Sequence, residues 1–128
     1  MRRLTGGVVA GLVLAVAVPG PPAQASAAPD RVRLDCPGRG HLVLVVSHPD
    51  PRTTVAVLRA RDVGPHTRWT WNVSMQSAAG GSAAVGSLAA DADGRWSTGP
   101  MRHEGRGEVT VDAEATNRHG RTCEGSYP

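Results

Sequence analysis

His41-Leu42-Val43-Leu44-Val45-Val46-Ser47 and, past His48-Pro49-Asp50-Pro51-Arg52, Thr53-Thr54-Val55-Ala56-Val57-Leu58-Arg59-Ala60-Arg61 form the stretch that decides the fold. The first run is apolar at odd and even positions alike, which predicts a central strand covered on both faces. Pro49 and Pro51 have no N–H to give to a ladder, so the strand is expected to end there.

The rest of the chain reads the same way. Short apolar or alternating runs, separated by Gly, Pro, Asp and Asn, predict strands at 31–36, 41–47, 53–61, 66–75, 83–90, 95–98, 108–117 and 121–124. Val109, Val111, Ala113 and Ala115 alternate with Thr110, Asp112, Glu114 and Thr116, the pattern of a strand with one wet face. Asp93-Gly94 and His119-Gly120 place glycine where a tight hairpin needs positive φ, and the segment 77–82 is expected to be a flexible connection. No apolar stripe recurs at helical spacing over three turns. The fold class is therefore all-β, an antiparallel sandwich or small barrel of seven to eight short strands.

Ahead of this domain, Met1, Arg2 and Arg3 precede an apolar run at 8–18 that is too short to span a bilayer. Gly20, Pro21 and Pro22 break it, and Ala23-Gln24-Ala25 supplies the small residues of a signal-peptidase site. Residues 1–25 are read as a signal peptide, 26–30 as a disordered lead-in and 31–128 as one domain. The protein is expected to be secreted, free of the membrane once cleaved, and monomeric. In that compartment Cys36 and Cys123, the only cysteines, are expected to form one disulfide across nearly the whole domain.

Composition narrows the partners. All 14 basic residues are arginine. Past residue 25 there are 12 Arg against 11 Asp plus Glu, a formal charge of +1 that gives no reason to expect nucleic acid. No serine elbow or phosphate-cradling loop occurs, and the five histidines lie at no zinc-motif spacing, so no metal or cofactor is expected. A loop cluster of His48, Asp50 and His66, or the pair Asp112 and Glu114, are the strongest candidates for chemistry. Both are better read as solvated surface. Trp69 and Trp71 fall two apart and share one strand face. Left open, they would make a stacking platform for a sugar or peptide, but in a chain with three Trp and no Phe they are expected in the core.

The stretch Leu88-Ala89-Ala90-Asp91-Ala92-Asp93-Gly94-Arg95-Trp96-Ser97-Thr98 resembles the hairpin of bacterial immunoglobulin-like domains, in which an Asp-x-Asp-Gly turn precedes an inward-facing Trp. The chain differs from immunoglobulin domains in carrying its first cysteine on the opening strand, and Arg121 stands where a tyrosine corner would need Tyr. The resemblance implies an immunoglobulin-like sandwich with a binding or structural role, and the partner expected is an extracellular protein or carbohydrate. Arg102, His103, Glu104 and Arg106, in the segment 99–107, make the most polar candidate contact loop. Non-catalytic binding is the leading expectation, followed by inhibition of an extracellular hydrolase and then a small extracellular enzyme.

Overall fold

The computed structural model describes residues 28–128, so the expected signal peptide and the first two residues of the lead-in lie outside the described residues. Two antiparallel sheets pack face to face, with no helix among the described residues. The chain is an all-β sandwich with open sheets, not a closed barrel.

Nine strands build it, one more than expected: β1 (Asp30–Arg33), β2 (His41–Asp50), β3 (Thr53–Arg61), β4 (Arg68–Ser77), β5 (Gly80–Ala89), β6 (Trp96–Ser97), β7 (Met101–Glu104), β8 (Thr110–Asn117) and β9 (Thr122–Tyr127). Sheet A has the order β1-β2-β3, with β6 and β7 both on the far side of β3, and sheet B has the order β5-β4-β8-β9. The additional strand, β7, lies in the segment 99–107 that reads as a loop. Pro100 has no N–H for a ladder, so it separates β6 from β7 along a single edge. At the break, the Leu58 N–H donates to Thr98 Oγ1 at 2.9 Å.

Two turn expectations need correction. β2 does not stop at Pro49 but continues to Asp50 through an irregularity between Ser47 and Asp50, which takes Pro49 out of the ladder. The segment 77–82 is a tight hairpin, with Ser77 paired to Gly80 across Ala78 and Ala79. The lead-in is also shorter than expected: Asp30 is already in β1, paired with Val46.

The core lies between the sheets. Leu42, Leu44 and Val46 of β2 meet Val73 and Met75 of β4 and Val111, Ala113 and Ala115 of β8. Along β8 the expected alternation holds from Thr110 to Ala115, with Val111, Ala113 and Ala115 buried. β2 is central as expected, but only its even positions are fully buried; Val43 and Val45 on the other side are half-buried, because no layer of described residues covers the outer face of sheet A.

Trp69, 5% exposed, meets Trp96 at a ring-centroid distance of 5.8 Å and a tilt of 48°, a favourable offset geometry. Trp71 also points inward, over the bare backbone of Gly86, its partner on edge strand β5. At that edge it is only half-buried.

The two open edges of the sandwich are joined by different chemistry. On one side, β1 of sheet A meets β9 of sheet B. There the Asp35 N–H donates to the Glu124 carbonyl at 2.9 Å and the Glu124 N–H returns to Asp35 at 3.1 Å, and the Cys36–Cys123 disulfide sits beside this bridge. A disulfide of this kind is consistent with an oxidising, extracellular setting. Tyr127 OH donates to Asp30 Oδ2 at 2.7 Å. This hydrogen bond, together with desolvation, raises the Tyr127 pKa above its ordinary 10.0. On the opposite side, β7 faces the β4–β5 hairpin, and His103 makes the join.

Candidate functional site

Of the expected contact loop, Arg102, Glu104 and Arg106 are exposed, and Arg102 Nη2 lies 3.5 Å from Glu104 Oε2. His103 is not available for contact. Its strand position turns it inward opposite Thr54, leaving it 6% exposed. Both ring nitrogens are occupied, Nε2 by Ser77 Oγ at 2.9 Å and Nδ1 by Ser82 Oγ at 2.8 Å.

A serine beside a histidine held by a third group is the skeleton of a nucleophile–base pair. Here the third group is a hydroxyl, the ring is covered, and Ser77 Oγ already accepts the Ala79 N–H at 3.2 Å. The trio therefore closes the sandwich edge by satisfying a buried imidazole.

The other candidates separate. His48 lies beside Tyr127 and donates to or accepts from Thr54 Oγ1, whereas the His66 N–H donates to the Asp91 carbonyl at another corner of the fold. No group of three or more His, Cys, Asp or Glu able to hold a metal occurs among the described residues. Asp50 is used locally: its Oδ1 accepts the Arg52 N–H at 2.8 Å and its Oδ2 the Thr53 hydroxyl at 3.0 Å. These two hydrogen bonds, the backbone one first, hold its pKa below the ordinary 3.8. Asp112 and Glu114 stand exposed on the outer face of sheet B. Trp69 and Trp71 point between the sheets and form no open platform.

What the structure does assemble is a groove of about 770 Å³ on the outer face of sheet A. Alternation along three strands builds it. Residues 31 and 33 of β1, 41 and 43 of β2, and 59 and 61 of β3 all point away from the core. The antiparallel register aligns Arg33, Val43 and Arg59 in one row and His41 with Arg61 in the next. Arg31, Arg33, Arg59 and Arg61 thus stand as two basic rails on either side of β2, and Arg33 Nη2 donates to His41 Nδ1 at 2.6 Å.

A fifth arginine, Arg95, is placed by the turn at 91–95. Asp91 Oδ1 accepts the N–H groups of Asp93 and Arg95 at 2.9 and 3.0 Å, and Gly94 adopts φ +73°, which a side chain would strain. This turn is not the hairpin expected from the sequence, because β5 lies in sheet B and β6 in sheet A. It is a corner between the sheets. The turn at 117–121 repeats its bonding, with Asn117 Oδ1 accepting from His119 and Arg121.

Asp91 is the one acid lining the groove, and its Oδ1 is occupied by backbone donors. Among the described residues the single ion pair within 4.0 Å is Arg102–Glu104, so none of the five groove arginines has a carboxylate partner. A hollow on the outer face of sheet B is the reverse, lined by Asp35, Asp112, Glu114 and Glu124 and by no arginine. Sequence reading missed the basic face because its arginines are 64 residues apart at the extremes and are gathered only by strand register. Three arginines at alternating distance from apolar runs, Arg31, Arg33 and Arg59, were the visible signal. Comparison with protein-family models, with curated proteins and with solved structures finds no match to this chain.

Proposed function

We propose that this protein is a secreted, non-catalytic binding module that presents the outer face of sheet A to its ligand. The observation that carries the reading is the gathering of five arginines, none with a carboxylate partner, on one open groove. Like charges held together without partners work against the compact state. A surface that keeps them unpaired is suited to a ligand that completes them.

Support also comes from the architecture. β4, β8 and β9 follow the order of strands C, F and G of an immunoglobulin-like sandwich, with β5 beside β4 in the place of C′, an arrangement used widely for binding. The middle of the segment where an inhibitor would carry a reactive loop is held as β7, paired with β3. Chemistry at Ser77 would need a substrate to reach a covered histidine, which speaks for binding over catalysis.

The test is an NMR titration of the 15N-labelled protein, lacking residues 1–25 as secretion would leave it, with polymers fractionated from the spent medium and the cell surface of its source. Shifts concentrated at 31–33, 41–45 and 57–61 are expected. Shifts confined to sheet B, or to Ser77, Ser82 and His103, would overturn the reading. Mass spectrometry of the medium should find a chain beginning at Ser26; a cell-retained chain with Met1 would remove secretion.

A further inference from the structure

We infer that the groove on sheet A binds a linear anionic polysaccharide, a single carbohydrate chain bearing carboxylate, sulfate or phosphate groups. The inference rests on the reading of that face as the binding surface and adds the ligand's chemistry.

Charge comes first. Guanidinium groups pair with such oxyanions through two parallel N–H donors, and the groove's lining offers them one carboxylate, Asp91, and one neutral acceptor, the His41 Nδ1 that Arg33 holds. The acidic outer face of sheet B would be repelled by the same polymer, so the molecule would approach groove first despite a nearly balanced total charge.

Spacing comes second. Arg33 and Arg59 flank Val43 in one row, two strand spacings or about 10 Å apart at the backbone. Arg31 and Arg33, like Arg59 and Arg61, are two residues and hence about 7 Å apart along their strands. The rails leave room for one chain running over β2, with charges met alternately on either side. A polymer with one acid group per sugar or per disaccharide presents them at intervals of this order.

The floor comes third. Between the arginines it is lined by half-buried Val43, Ser97 and Trp96, the last only 6% exposed with its ring packed on Trp69. Single-stranded nucleic acid relies on open aromatic faces for stacking its bases, and this floor offers none. A protein partner would be anchored by an aromatic or arginine in a desolvated pocket, whereas the groove is open and lined by long cationic side chains. Sugar rings need neither stacking platform nor deep pocket once their charged groups are held.

The test uses the protein without residues 1–25 and measures affinity by fluorescence anisotropy at low and moderate salt for labelled oligogalacturonate, dextran sulfate, neutral dextran and a single-stranded thymidine oligonucleotide. Both anionic glycans should bind and neutral dextran should not. Arg33→Ser with Arg59→Ser should weaken glycan binding about 100-fold, roughly tenfold per arginine, and flatten the salt dependence. Arg68→Ser, on the opposite sheet, should leave binding unchanged, and thermal melts check that all variants fold.

Failure of both anionic glycans to bind would overturn the inference, and so would binding indifferent to the double variant. Neutral dextran bound and then lost in the double variant would keep the face as the binding surface while removing the anionic class. Oligonucleotide bound as tightly as the glycans, with the same loss, would replace polysaccharide by nucleic acid. Sedimentation showing low-salt self-association that is abolished by the double variant and by Asp112→Ser with Glu114→Ser would make the occupant a second copy of the chain and overturn the proposal.

Discussion

His103 shows how much depends on a single side chain at the sandwich edge. A buried imidazole without partners would be costly, and here two serine hydroxyls from the β4–β5 hairpin satisfy both nitrogens. His103→Ala is expected to lower the free energy of unfolding by about 2 kcal/mol in urea titrations, through the cavity and the stranded hydroxyls. Gly86 is constrained differently: a methyl there would lie 2.8 Å from the Trp71 ring. Gly86→Ala should cost roughly 1–3 kcal/mol and shift the Trp emission to longer wavelength as the indole is pushed outward. Asp50 gives a pH signature. Because its folded pKa lies below 3.8, the folded state favours the carboxylate more than the unfolded chain does. Its contribution is complete above that value and disappears as pH falls through the lowered one. Wild type and Asp50→Asn should therefore differ in thermal stability at neutral pH and converge in acid. Tyr127 works in the opposite sense, its contribution being complete below pH 10.0 and lost as pH rises through the raised value.

At the scale of strands, the two edges should differ in stability. Replacing Cys36 and Cys123 by Ser releases a constraint spanning 87 residues and should cost up to about 4.5 kcal/mol on the chain-entropy account, read as a drop in the urea midpoint. Hydrogen exchange should be faster in β5 and β7, where side chains alone join the sheets, than in β8; equal protection would contradict that picture. Most strands were legible because alternation survives in their sequences, as Val109 to Thr116 shows. β7 was not. Its inward residues are Met101 and His103, and a buried histidine looks like a polar loop residue until its serine partners are known. The turn at 91–95 read as a hairpin because its Asp and Gly impose a local conformation, while the sheets its flanking strands join depend on distant pairing. The groove was invisible for the same reason: Arg33 and Arg59 are neighbours only through the register of β2.

Taken whole, the molecule carries two oppositely charged hollows, one on sheet A lined by five arginines and one on sheet B lined by four acids. The chain without residues 1–25 should therefore be retained by a sulfonate cation exchanger at pH 7 more strongly than its formal charge of +1 suggests, and Arg59→Ser with Arg61→Ser should elute much earlier. Another consequence follows from where the sulfurs sit. Between Cys36 and Cys123 the backbone and the disulfide form a covalent ring that takes in β2 through β8. A protease that nicks an exposed loop within this ring, such as Ala78-Ala79, opens the circle but liberates no fragment. Two cuts within the ring, or a cut and a reductant, are needed before any piece of it can leave.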